Sequence, residues 1–179
     1  MPAAYKPVAR ISPLTPDHAS QYRQLMLQAY ANHPDAFTST REERAALPLS
    51  WWRERLSSDS KSAEVVIAGW DGDEMVGVAG ISFAQRQRES HKSTLFGMYV
   101  APHARGAGLG RELVDAIVAL ARQRAGVRLI KLTVTQGNES ARRLYDACGF
   151  VTFGVEPNAV AVDDGYVDKA HMWCDLTKR

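Results

Sequence analysis

The chain has 179 residues, room for one domain of ordinary size and cramped for two. Lys and Arg number 22 against 20 Asp and Glu, and a net charge of +2, scattered rather than striped, argues against a dedicated nucleic-acid binder. Hydrophobic residues at 45% and charged residues at 23% exclude a disordered chain, and no apolar run approaches the roughly 18 residues of a membrane span.

Met1 to Arg10 lacks an apolar signal core, and Cys148 and Cys174 are too few for a disulfide framework or a metal site by themselves. A cytoplasmic protein with reduced cysteines and no metal is expected. Val8 to Ile11 reads as a short strand ending at Ser12-Pro13. Pro16-Asp17 opens a helix with Tyr22, Leu25, Met26 and Ala29 on one face, stopped by Asn32-His33-Pro34. A shorter helix follows Pro48, with Trp51, Trp52 and Leu56 on a shared packing face. Glu64 to Trp70 and Met75 to Phe83 are strands joined by Asp71-Gly72-Asp73, a hairpin signal. Gln85 to Glu89 is a turn. Lys92 to Val100 alternates Thr94, Phe96, Met98 and Val100 against Leu95, Gly97 and Tyr99, as a strand does.

Beyond that strand the period changes. Arg111 to Arg124 sets Leu113, Ile117, Leu120 and Ala121 on a helical stripe. Val127 to Val134 is a strand, Glu139 to Ala147 a helix stopped by Cys148-Gly149, Phe150 to Phe153 a strand start and Tyr166 to Leu176 a last strand. No repeat, low-complexity tract or linker divides the chain, so residues 1–179 are expected to form a single mixed α/β domain. Its antiparallel strands come first, and a parallel crossover lies in its second half.

The segment from Val100 to Arg111 joins a strand to a helix and carries Gly106, Gly108 and Gly110 between Arg105 and Arg111. Small residues let the main chain approach a ligand, and the free amides of a helix start favour an anion. A phosphate-binding P-loop would need Gly-Lys-Ser/Thr, where Leu109-Gly110-Arg111 stands. A dinucleotide fingerprint would need a glycine at Arg111 and an acid on the next strand, and has neither.

Arg105-Gly106-Ala107-Gly108-Leu109-Gly110 resembles the Arg/Gln-x-x-Gly-x-Gly/Ala pyrophosphate loop of the GCN5-related N-acetyltransferases (GNAT). Asn138, Ala141, Leu144, Tyr145, Gly149 and Phe150 are similar to that family's second signature, Asn-x-x-Ala-x-x-Leu-Tyr-x-x-x-Gly-Phe. The likeness runs from about Val65 to Phe153. It implies a GNAT-like domain: a central, mostly antiparallel sheet with one splayed parallel strand pair and flanking helices. It also implies acetyl-coenzyme A as cosubstrate, a primary amine as acceptor and transfer by direct attack on the thioester. A small-molecule amine leads, ahead of a protein N-terminal amine and of a non-catalytic acetyl-coenzyme A binder. Partners of nucleic-acid or membrane type are not expected; homodimers are common in the family.

By the same resemblance, the amides of Met98, Tyr99 and Val100 would hold the pantetheine arm in a slot opened by a bulge. Amides of Gly106, Ala107, Gly108, Leu109, Gly110 and Arg111, with Arg105 beside them, would hold the pyrophosphate. Asn138 would cap its helix and contact the cofactor. Met98 or Val100 would polarise the carbonyl, and Tyr145 would protonate the leaving thiolate, the alternative being a packing or sulfur-anchoring role. The base is open. The position where some relatives carry Glu is Thr94, and Glu89, His91, His103, Asp168 or ordered water remain. Asn32 to Thr40 and the tryptophans border the expected acceptor entrance, and a loop from Pro157 to Gly165 covering the site would favour a small acceptor.

Overall fold

The computed structural model describes residues 10–57, 59 and 61–178. In chain order the elements are β1 (Arg10–Pro13), α1 (Ala19–Asn32), α2 (Arg41–Ala45), α3 (Leu49–Glu54), β2 (Glu64–Asp71), β3 (Glu74–Phe83), β4 (Lys92–Val100), α4 (Leu109–Gln123), β5 (Leu129–Thr135), α5 (Glu139–Ala147), β6 (Val151–Val162) and β7 (Gly165–Asp175). Val8 and most of the segment read as lacking a signal core lie outside the described residues. The unexpected element is α2, whose start is nonetheless written in the sequence. Thr40 Oγ1 accepts from Glu43 N–H and Glu43 Oε2 accepts from Thr40 N–H, a reciprocal cap.

Seven strands form one sheet in the order β1-β2-β3-β4-β5-β7-β6, and every neighbouring pair is antiparallel except β4–β5. Both faces are buried, as β2 shows. Val65 and Ile67 pack with α4, while Val66, Ala68 and Trp70 alternate onto the side of α1 and α3. The α1 face is the predicted one, with Tyr22, Leu25, Met26 and Ala29 all buried. Trp52 is 1% exposed and meets Tyr22 edge-on at 5.6 Å, so it seats the helices as expected. Among the described residues no helix is long and apolar enough to cross a membrane.

The even alternation expected along β4 fails in its middle. Leu95 faces the α4 side, and so do Met98 and Val100; Phe96 and Tyr99 face α1. The parity flips because β3 advances two residues, Val78 to Gly80, while β4 advances three, Tyr99 to Phe96. The extra residue sits at Gly97, whose φ of 60° is left-handed and natural only for glycine. An inserted residue reverses every side chain beyond it, a change that a count of apolar residues along the strand does not reveal.

β4 and β5 pair only at Lys92–Leu129, Ser93–Ile130 and Thr94–Lys131. The buried Ser93 hydroxyl donates to the Leu129 carbonyl at 2.9 Å and pins this closed end. Past the bulge the two strands are no longer bonded to one another, leaving a V-shaped gap in the sheet. The splayed parallel pair is therefore present.

The loop expected from Pro157 to Gly165 is instead the tip of the β6–β7 hairpin. Val160–Val167, Ala161–Tyr166 and Val162–Gly165 are paired there. Pro157 and Asn158 are accommodated in a bulge between the Glu156–Lys169 and Val160–Val167 pairs, on an edge strand where proline costs no ladder bond. Asn158, at φ 52°, donates its N–H to Asp168 Oδ1 at 2.8 Å. This segment does not lie over the gap.

Candidate functional site

A cleft of about 760 Å³ fills the gap between β4 and β5 and runs onto the start of α4. Its deep wall is the bulged half of β4. Ala101 N–H donates to the Val76 carbonyl at 2.8 Å, so in an alternating ladder Val100 turns its own main-chain groups away from β3, toward the open side. The Val100 carbonyl accepts from Arg105 Nε at 2.9 Å, and its N–H faces the gap.

At the mouth, Gly106 (φ 81°) and Gly108 (φ 91°) turn the chain into α4, with Gly108 as the N-cap. The helix starts two residues earlier than predicted, so Leu109, Gly110 and Arg111 form its first turn. Its own ladder begins with Glu112 N–H donating to the Gly108 carbonyl. Among the described residues no carbonyl accepts from the six N–H groups of Gly106 through Arg111, and no side chain caps them. These donors, with the positive end of a fifteen-residue helix, suit an anion. Gly110 has a further reason to be small: a Cβ there would lie 3.3 Å from Leu144 Cδ2, where α4 meets α5.

The structure gathers Met98, Tyr99, Val100, Arg105, Gly106, Gly108, Leu109, Gly110, Arg111, Asn138 and Tyr145 around this cleft, and leaves Ala107 off its wall. Arg105 is turned inward. Its guanidinium bonds the Val100 carbonyl, meets His33 Nε2 at 3.0 Å and lies 5.7 Å from the Tyr99 ring centre. It ties the segment after α1 to the end of β4 while lining the cleft. Arg111 leans on Asp115 at 3.5 Å. Asn138 Oδ1 accepts from Ala141 N–H at 3.2 Å, the cap role, while its side-chain amine remains to face the cleft.

Tyr145 is 6% exposed, packs edge-on to Phe150 at 5.8 Å and reaches the cleft wall. Its hydroxyl has no hydrogen-bond partner among the described residues. Burial pushes its phenol above the ordinary value of 10.0, so it keeps its proton at neutral pH.

The segment after α1 borders the cleft. His33, Asp35, Phe37 and Thr38 line the cleft, and the Asp35 carbonyl accepts from Thr135 Oγ1 at 2.8 Å. None of the four side chains named as bases lines it. Glu89 bonds Lys92 at 3.2 Å near the closed end, and His91 precedes β4 there. His103 sits 3.4 Å from Glu74, and the Asp168 carboxylate is taken by Asn158.

Lys169 was not legible as a site residue. It is 7% exposed, lies opposite Thr135 on β7, lines the cleft and has no ion-pair partner among the described residues. Glu156 across the hairpin is bonded to His171 at 2.8 Å. Burial lowers the Lys169 pKa below the usual 10.5, with Glu156 opposing. Between that lowered value and 10.5 the unfolded chain binds more protons than the folded one, so stability rises with pH across that window. Lys169→Met is therefore expected to melt higher than wild type at neutral pH, and its advantage should shrink near pH ~10. Thermal melts of both chains at the two pH values check this.

The family model described as Acetyltransferase (GNAT) family matches residues 24–150. Over 131 residues the chain is 28% identical to mycothiol acetyltransferase of Geodermatophilus obscurus, covering 72% of this chain and 40% of that protein. It is 31% identical over 90 residues to a [ribosomal protein bS18]-alanine N-acetyltransferase of Haemophilus ducreyi, covering 50% of this chain and 61% of that one. The chain thus matches less than two thirds of the length of either curated relative. A Salmonella typhimurium structure determined with its cofactor acetyl-CoA superposes with a TM-score of 0.77 at 18% identity, covering 96% of this chain and 95% of that one.

Proposed function

The chain belongs to the acetyltransferase (GNAT) family, and from that premise we propose that it transfers the acetyl group of acetyl-coenzyme A to a primary amine of a small molecule. We read residues 1–179 as the single domain that does so. The observation that carries the proposal is the run of unaccepted main-chain N–H groups from Gly106 to Arg111, set at the mouth of a gap whose wall offers the Val100 N–H. A diphosphate suits the first set and an extended arm the gap. That a structure sharing the fold was determined with its cofactor acetyl-CoA supports the same reading.

In this reading the cleft's residues do three things. The Val100 or Met98 N–H bonds the developing oxyanion. The C–N bond forms as the C–S bond breaks, and the departing thiolate takes the Tyr145 proton, which the phenol recovers from solvent. The raised proton affinity of Tyr145 does not bar this step, because a thiolate in the same dry slot is destabilised by the same loss of water. The amine's own proton leaves to water at the open mouth of the cleft or to His33 or Asp35, which line it, since none of Glu89, His91, His103 and Asp168 does.

The reading is tested by calorimetric titration with acetyl-coenzyme A and by thiol release over an amine panel. Binding in the micromolar range and amine-dependent release that climbs with pH toward the amine's own pKa are expected. No heat would remove the cofactor and the activity together; heat without release would leave a binder. A protein N-terminal acceptor is the second reading, favoured by the bS18-alanine relative. An extended peptide outcompeting free amines would establish it.

A further inference from the structure

A second, smaller pocket of about 150 Å³ lies beside the cleft on the α1 side. Phe37, Thr38, Phe96 and Gly97 line both cavities, so the two adjoin at the β4 bulge, next to Met98. Tyr22, Tyr30, Trp51 and Trp52 wall it, and two cations, Arg44 and Arg55, complete it without any acidic residue in the lining.

The cations are not equivalent. Arg55 stacks over Trp51 at 4.7 Å and is neutralised by Glu64 at 3.2 Å. Arg44 stacks on the same ring at 4.8 Å and lies 6.0 Å from the Tyr30 centre, yet no carboxylate or carbonyl bonds it among the described residues. Its Nε is buried without an acceptor, and so is the indole N–H of Trp52, a residue 1% exposed. The Tyr22 hydroxyl also bonds nothing among the described residues. A half-buried guanidinium held flat by aromatic faces, next to further unpaired donors, is costly unless an oxyanion completes it. The reciprocal cap orders the backbone of the short helix that carries Arg44, and its side chain rests on the Trp51 ring.

We propose that this pocket is an acceptor subsite for a carboxylate, read by Arg44, so that the acceptor is a compact amine carrying a carboxylate group. The inference rests on the acetyltransferase reading above and narrows its substrate. With the carboxylate at Arg44, the substrate's amine would reach past Phe96 and Gly97, which both cavities share, to the acetyl carbon. Planar bidentate contact suits guanidinium and carboxylate.

The test pairs ω-amino carboxylates from glycine to 6-aminohexanoate, with L-phenylalanine and L-methionine, against the amines lacking the carboxylate. At least one carboxylate should exceed its partner amine tenfold or more in kcat/KM for thiol release. Arg44→Met should raise KM for that carboxylate at least tenfold and leave KM for acetyl-coenzyme A unchanged, with Arg44→Lys between. A readout free of turnover is the tryptophan fluorescence of the cofactor-free protein titrated with the amino carboxylates. Trp51 and Trp52 line the pocket, so their emission should respond in wild type and not in Arg44→Met. Intact acetyl-coenzyme A binding with no carboxylate preference, or a preference untouched by Arg44→Met, overturns the subsite alone. Absent acetyl-coenzyme A binding overturns the parent reading, while a fluorescence response to the carboxylates that depends on Arg44 would still uphold the subsite.

Discussion

Tyr145→Phe is expected to lower kcat for amine acetylation about a hundredfold while moving KM for acetyl-coenzyme A less than twofold. General acids contribute roughly 10²–10⁴ in rate, and the lower end applies because the slot's amides still stabilise the oxyanion. Its fold should hold, because the deleted hydroxyl bonds nothing among the described residues and the buried ring keeps its packing against Phe150. Unchanged turnover with retained stability would show that the ring is only packing against Phe150. A raised KM for acetyl-coenzyme A with unchanged kcat would make it an anchor for the sulfur.

Gly108→Val is expected to cost acetyl-coenzyme A affinity ten- to a hundredfold. The residue sits at φ 91° with nothing within 4 Å of where a Cβ would stand. A β-branched side chain is a poor occupant of that conformation, and its methyl groups would stand in the open space before the helix's free amides. Losing one charge-assisted bond of about 1.5–3 kcal/mol gives the stated range. Backbone strain alone must be separated from this effect. Gly72 in the β2–β3 turn shares the left-handed φ (58°) and the open surroundings, far from the cleft. Gly72→Val should lose comparable thermal stability and bind acetyl-coenzyme A as wild type does. Equal affinity loss in both, or in neither, would remove the amide cradle from the account.

Much of this molecule could be read from local chemistry. The β2–β3 hairpin followed from Asp71-Gly72-Asp73, the buried face of α1 from Tyr22, Leu25, Met26 and Ala29, and the bounds of β4 and α5 match the prediction residue for residue. The glycine segment and the Asn138-to-Phe150 signature pointed to the cleft because an anion cradle and a capped helix are both made by neighbours in sequence. Thr40 and Glu43 carried the same kind of signal for α2, three residues apart, and it went unread.

What escaped depends on parts of the chain far apart in number. The bulge at Gly97 is a mismatch between β3 and β4 and has no signature in β4 alone. Arg105 meets His33, a residue 72 positions away, a contact that no local pattern announces. Lys169 became a cleft residue only when β7 was laid beside β5, and Arg44 a pocket residue only when Trp51 and Tyr30 closed on it. The amino-acid sequence by itself determined the elements, the family and the phosphate-suited turn, since periodicity, caps and glycine torsions act within a few residues. The tertiary structure alone decided the slot's geometry, the unpaired cations and the acceptor face. Burial and charge pairing are sums over neighbours that the folded sheet brings together.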